Sequence, residues 1–176
     1  MQSASDERLM QEYANGHPEA FEELYARYRK TLYAYFRRQV SDAATANDLY
    51  QGAWEKIIAG RGRYRPDAPF RAWIFRIAHN HLMDHFRRLR PTAPLEESGF
   101  MDTGPGPETQ LDEAAQKTAL RRAILELPSE QRDALLLRLE GEFSLQTIAE
   151  LCEVGHETIK SRLRYATKHL KKVLMT

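Results

Sequence analysis

One cysteine, Cys152, is all that the 176 residues contain. No internal disulfide can form, and neither can a cage of several thiolates around zinc. No apolar run approaches the roughly 18 residues needed for a helical membrane span. The N-terminus, Met1-Gln2-Ser3-Ala4-Ser5-Asp6, lacks the basic and apolar segments of an export signal. A cytoplasmic chain is therefore expected. Glycine-rich phosphate loops, dinucleotide fingerprints and nucleophile elbows are missing, and no context singles out a carboxylate pair. No enzymatic activity is expected. Alternating β patterns and Asn-Gly hairpin signals are also missing, which points to an all-α fold.

What the sequence has is charge, and it is segregated. The 26 Lys and Arg nearly cancel the 25 Asp and Glu, for a net charge of +1. Residues 1–90 nevertheless carry +4, residues 91–113 carry −6 with no Lys or Arg, and residues 114–176 carry +3. The acidic stretch holds Glu96, Glu97, Asp102, Glu108, Asp112 and Glu113 among four prolines and three glycines. Such a composition sustains neither a helix nor a core, so 91–113 reads as a flexible acidic linker between two basic folded pieces.

Both pieces have helical periodicity. In residues 1–90 a short helix is expected near Asp6–Asn15. His17-Pro18 opens a second, with Phe21, Leu24, Tyr25, Tyr28, Leu32, Tyr35 and Phe36 recurring at helical spacing. Ser41-Asp42 can cap a third, buried through Ala46, Leu49, Tyr50, Ala53 and Ile57. Gly60, Gly62 and Pro66 interrupt the chain before a fourth helix at about Phe70–Leu89. This is a four-helix bundle. In residues 114–176 one helix ends at Pro128. Ser129 can cap the next, Ser144 a short third, and the turn Glu153-Val154-Gly155 leads into a long basic fourth. That last pair has a helix-turn-helix pattern.

Three surfaces stand out from an ordinary solvated face. The last helix, from His156 on, has six basic residues against one acid, Glu157. Its apolar stripe Ile159–Leu163–Ala166–Leu170 leaves Lys160, Ser161, Arg164 and Lys168 on the opposite side, with His156 and Glu157 at the leading turn. A helix that reads base edges in a major groove needs that division. The fourth helix carries Trp73, Arg76, Asn80, Asp84 and Arg87 on a stripe that cannot also be core. The loop Arg61-Gly-Arg-Tyr-Arg-Pro66 adds Tyr64 just upstream. Aromatics interleaved with cations suit single-stranded nucleic acid, in which bases stack and cations follow phosphates. The third helix sets Asp48, Gln51 and Glu55 beside Trp54, an indole on the side away from Leu49–Ala53–Ile57, as a protein interface would use it. His79, His81 and His85 prompt a metal reading. No HExxH or second motif completes a site, so these histidines are expected to line the helix surface, with no metal and no cofactor.

These strings together resemble the extracytoplasmic-function sigma factors, the smallest group of the bacterial sigma-70 family. Phe21-Glu-Glu-Leu-Tyr-Ala-Arg-Tyr28 looks like the family's first conserved helix. Asp48-Leu-Tyr-Gln-Gly-Ala-Trp-Glu-Lys56 looks like its polymerase-docking helix. Tyr64 to Asn80 looks like its −10-reading loop and helix. Leu127-Pro-Ser-Glu-Gln-Arg132, Ile148-Ala-Glu-Leu151 and Thr158-Ile-Lys-Ser-Arg162 look like its −35-reading domain. Two positions depart from the pattern: Gly52 stands where an acid commonly follows the docking-helix glutamine, and Glu157 where glycine or a polar residue is usual.

The resemblance implies a sigma region 2 domain over 1–90, the linker over 91–113 and a region 4 helix-turn-helix domain over 114–176. Core RNA polymerase would be bound by Asp48, Gln51, Trp54 and Lys56. The −10 element would be read as it opens by Tyr64, Arg65, Phe70, Trp73, Arg76, Asn80, Arg87 and Arg88. The −35 duplex would be read by His156, Glu157, Lys160, Ser161, Arg162, Arg164 and Tyr165. An anti-sigma factor is the further expected partner, and no membrane is. The competing expectation is a helix-turn-helix regulator acting without polymerase. It accounts for the last helix but leaves Asp48–Lys56 and the Trp73–Asn80 stripe unexplained.

Overall fold

The structure, a computed structural model, describes residues 3–89 and 111–175. The expected linker lies outside the described residues except for 111–113. These three already belong to a helix, because the acids there are followed by an unbroken run of helix formers.

The N-terminal half is built from α1 (Asp6–Ala14), α2 (Pro18–Gln39), α3 (Ala43–Ala59) and α4 (Phe70–Arg88), with one 3₁₀ turn at Arg61–Arg63. Start signals decide the boundaries. Ser5 accepts from Arg8 N at α1, Pro18 opens α2, and Asp42 accepts from the Ala44 and Thr45 amides at α3. The core between the helices is Met10, Leu24, Leu32, Phe36, Leu49, Ala53, Ile57, Ile74 and Leu82.

The C-terminal half comprises α5 (Leu111–Glu126), α6 (Ser129–Leu139), α7 (Leu145–Cys152) and α8 (His156–Leu174). Ser144 caps α7 by accepting from Thr147 N. Ser129 does not cap α6; Pro128 occupies that position and offers no side-chain acceptor. In the helix-turn-helix turn the left-handed residue is Glu153 (φ 56°), while Gly155 is extended at φ −70°. A non-glycine residue there costs about 1–2 kcal/mol. Glu153 N recovers part of it by donating to the carbonyls that end α7.

Gly52 has a packing reason. A Cβ on it would lie 2.5 Å from His81 Nε2 and 2.9 Å from His81 Cε1, so α3 and α4 approach closely only because the side chain is missing. Gly52→Ala gains about 1 kcal/mol of helix propensity but must displace the imidazole. The single substitution is expected to lower stability, and the Gly52→Ala/His81→Ala pair to recover the propensity gain. Urea titration of all four chains should give a coupling of roughly 0.5–3 kcal/mol. Simple additivity would refute the contact.

The two halves share an interface. α2 packs against α5 and α6, and α4 against α7. Phe75 of α4 meets Phe143 edge-on at 5.3 Å. At the centre sits Asp133 of α6, only 2% exposed. Its Oδ1 accepts from Tyr35 Oη at 2.5 Å and Gln39 Nε2 at 3.1 Å; its Oδ2 lies 2.7 Å from His79 Nδ1 and 3.9 Å from Cys152 Sγ. His79 is therefore buried, not on the helix surface as its spacing predicted, because α4 is covered on that side by α6 and α7.

Arginines fasten the margins. Arg71 donates to the carbonyls of Gly141 (2.7 Å) and Glu140 (3.0 Å) at the end of α6, and Arg121 to those of Arg37 and Val40 at the end of α2. Cations at helix C-termini also meet the negative end of the dipole. Arg38 pairs with Glu140.

Candidate nucleic-acid interface

Asp48, Gln51, Glu55 and Lys56 lie on the exposed side of α3. Trp54 does not join them. It is 6% exposed, with its ring 5.8 Å from Phe21, 5.0 Å from Tyr25 and 6.4 Å from Tyr50. The expectation of an outward indole is corrected: α2 supplies aromatic partners that cover it. Trp54 packs α3 against α2 through Phe21 and Tyr25 and is not on the exposed face.

The loop before α4 is an aromatic clamp. Tyr64 Oη donates to Ala68 O at 2.9 Å, closing the loop on itself. The rings of Tyr64, Phe70 and Trp73 lie 5.3–6.0 Å apart. Phe70 is core, 1% exposed, and is removed from the residues able to touch a base directly. It packs on Tyr28 at 5.5 Å and supports the two half-buried rings above it. Burial, with Glu7 and Asp6 nearby, pushes the Tyr64 phenol up to about 12, so the ring is uncharged at neutral pH.

Sequence patterns missed how α4 begins. Pro69 at its N-cap has no acceptor side chain, and Glu7 of α1 supplies one, accepting from Phe70 N at 3.0 Å. A carboxylate there also suits the positive end of the helix. The partners are 63 residues apart, so no local capping motif could reveal the pair.

A groove of about 450 Å³ runs beside the clamp, lined by Lys56, Gly60, Arg63, Trp73, Asn80 and His81. It joins the exposed end of α3 to the polar stripe of α4, and Lys56 Nζ lies 3.9 Å from Asp84 across it. Arg65, Arg76, Arg87 and Arg88 are exposed on the neighbouring loop and on α4, outside the groove lining, with Arg87 paired to Asp84. Burial lowers the His81 pKa, and the Lys56 cation lowers it further. The imidazole is therefore held neutral, and its buried Nδ1 has no hydrogen-bond partner among the described residues. The groove pairs an indole face, an amide and two cations, which suits an unpaired base with its phosphate.

On α8, Ile159 and Ala166 are buried against the rest of the half. His156, Glu157, Lys160, Arg164, Tyr165 and Lys168 are exposed, and Ser161 is half-buried. Glu157 lies 3.5 Å from Lys160, and Arg164 stacks over the Tyr165 ring at 5.4 Å. Arg162 departs from this face. It points to Glu130 of α6 at 3.7 Å and borders the boundary between the halves. Its position, three residues after Ile159, places it on the flank of the helix. The exposed residues form a convex, basic front on a helix with an apolar back, the shape that enters a major groove.

Comparison with known proteins agrees in both halves. Residues 24–92 match the family described as Sigma-70 region 2, and residues 117–170 match Sigma-70, region 4. The ECF RNA polymerase sigma factor SigM of Mycobacterium tuberculosis is 31% identical over 173 residues, spanning 97% of this chain and 85% of that protein. The RNA polymerase sigma factor YlaC of Bacillus subtilis is 28% identical, spanning 89% and 92%. Among solved structures, CnrH in complex with the cytosolic domain of CnrY superposes with a TM-score of 0.72 at 21% identity over 97% of each chain. RpoE of Bartonella quintana, solved with the anti-sigma factor NepR, gives 0.71 at 24% identity over 89% of this chain and 97% of that one. At those identities the structures speak for the fold alone. The two consecutive region matches and the full-length relative show that this chain belongs to the extracytoplasmic-function RNA polymerase sigma factors of the sigma-70 family.

Proposed function

We propose that residues 1–90 dock core RNA polymerase and read the −10 element, that residues 91–113 connect, and that residues 114–176 read the −35 element. The docking contacts are Asp48, Gln51 and Lys56 on the exposed face of α3, with Trp54 holding that face in place from within. Tyr64 and Trp73 receive a base as the duplex opens, Asn80 hydrogen-bonds it, and Arg65, Arg76, Arg87 and Arg88 hold phosphates, which position without specifying. Glu157 of α8 can accept from a cytosine amino group. His156, Lys160, Ser161, Arg164 and Tyr165 complete the −35 contacts, with Arg162 at their edge. The chain works in the cytoplasm, where polymerase is, and its further partner is an anti-sigma factor. The observation that carries this reading is the aromatic and cationic groove of about 450 Å³ next to the exposed face of α3.

Polymerase is required energetically. Opening about ten base steps costs on the order of 14 kcal/mol, whereas each captured base returns only about 1–3 kcal/mol. The closed packing of the halves must also give way. Two turns of B-DNA span about 70 Å, and a compact chain of this length has a radius of gyration near 16 Å. With 111–113 taken up by α5, the twenty residues 91–110 can reach about 66–72 Å at most, comparable with the span between the two elements.

The test is co-purification of the full chain with bacterial core RNA polymerase, beside an Asp48→Arg/Gln51→Ala variant. The wild-type chain is expected to bind one to one and the variant to lose at least about tenfold in affinity while its melting curve is unchanged. A folded chain that does not bind core enzyme at moderate salt would overturn the reading.

A further inference from the structure

The interface between the halves contains more chemistry than packing requires. His79 of α4, Asp133 of α6 and Cys152 of α7 each direct a ligating atom to one point, and the three atoms lie within 4.8 Å of one another. His79 and Asp133 are buried and Cys152 is half-buried. The Nδ1–Oδ2 and Sγ–Oδ2 separations are 2.7 and 3.9 Å. Zinc's bond lengths of about 2.0–2.3 Å are reached once the His79–Asp133 hydrogen bond opens by about half an ångström.

We propose that His79 Nδ1, Asp133 Oδ2 and Cys152 Sγ form a three-residue site for a zinc-like divalent cation that clips the two halves of the chain together. The donor set mixes imidazole, carboxylate and thiolate, which suits zinc and disfavours magnesium or calcium. Charge agrees: one carboxylate and one thiolate neutralise a dication, leaving no net charge in a buried place. Metal entry breaks the Cys152 S–H bond and the His79 Nδ1–H bond that faces Asp133, forms metal–sulfur and metal–nitrogen bonds, sends the thiol proton to water and leaves the imidazole neutral with its proton on Nε2, with no change of oxidation state. An outer shell already stands behind the carboxylate. Tyr35 Oη and Gln39 Nε2 hold Asp133 Oδ1, so that only the other two members of the cluster, His79 and Cys152, face Oδ2. A cleft of about 370 Å³, lined by all three residues together with Asn80, Glu130 and Arg162, leads in from solvent. Arg162, which also lines the cleft, is paired with Glu130 at 3.7 Å, which moderates its charge near the thiol.

The ligands come from both halves and are 54 and 19 residues apart in sequence. Bound metal therefore favours the closed arrangement. Whether this restrains the chain from polymerase rests on the function proposed above; the binding itself does not.

The experiment uses the full chain, stripped with chelator, and Co²⁺ as the spectroscopic probe. One equivalent of Co²⁺ is expected to produce a thiolate-to-cobalt absorption band, and Zn²⁺ to bleach it. In Cys152→Ser and in His79→Gln, affinity is expected to fall more than about 100-fold, beyond the cost of losing an outer-shell partner. His85→Gln, on the same helix but outside the cluster, should bind as the wild type does. Circular dichroism checks that each variant is folded. On the unaltered chain, Zn²⁺ should protect Cys152, the single thiol, from alkylation. Lack of the cobalt band, or alkylation unaffected by Zn²⁺, would reduce the cluster to a hydrogen-bonded lock and overturn the site. Metal binding that leaves uptake by core polymerase unchanged would keep the site and overturn its regulatory role.

Discussion

Replacing Asp133 by alanine is expected to open the molecule. Tyr35 Oη, Gln39 Nε2 and the His79 ring all lose their acceptor in a buried place. Each stranded group costs about 1–3 kcal/mol, so the three together should remove roughly 3–9 kcal/mol of interface stability. The loss falls on the contact between the halves, because none of these side chains is needed for the helices themselves. Far-ultraviolet circular dichroism should therefore change little. Small-angle scattering in the presence of chelator should show the radius of gyration rising well above the roughly 16 Å of a compact chain. Asp133→Asn keeps an acceptor for Tyr35 and Gln39 and should fall between. An unchanged radius in Asp133→Ala would mean that the arginine contacts at the margins, Arg71 and Arg121, hold the halves together without it.

Trp54→Ala should be severe for a different reason from the one its place in the docking motif suggests. The indole is enclosed by Phe21, Tyr25 and Tyr50, and truncating a buried aromatic costs about 3–5 kcal/mol. For a domain of this size that lowers Tm by roughly 6–20 °C. Gln51→Ala, one turn away and exposed, should remain within about 0.5 kcal/mol of the wild type. Urea titration separates the two, and polymerase binding then has meaning only in variants that pass it. If Trp54→Ala melted like the parent, the aromatic enclosure of α3 would be wrong.

The same pair shows how far the sequence could be read. The helices, their order and the starts of α2, α3 and α7 were legible because they depend on local signals: apolar spacing, Pro18, Asp42, Ser144. Helix α8 was legible too, since most of its apolar and basic residues fall on opposite sides, Arg162 excepted. Trp54 was misplaced because a large ring can bend round a helix to reach aromatics on its neighbour, and a helical wheel records only the Cα direction. Phe70 was misplaced because it opens a helix, where the chain is still turning and periodicity has not begun. Glu7, Arg71 and Asp133 gave no local signal at all. Each looks like an ordinary solvated charge until a partner 63, 70 or 98 residues away is brought beside it. Polar contacts of that kind are set by tertiary packing, and no windowed pattern contains them.

The long separation in the Asp133 network has a temporal consequence. Tyr35, Gln39 and His79 are all synthesised before Asp133 exists. At about 5–20 residues per second the interval between the end of α4 and residue 133 lasts about 2–9 s. During it the N-terminal half, with the exposed face of α3 complete, lacks the carboxylate that closes it. A nascent chain is thus, for some seconds, a more open molecule than the finished one, and the order of synthesis decides which partner meets it first.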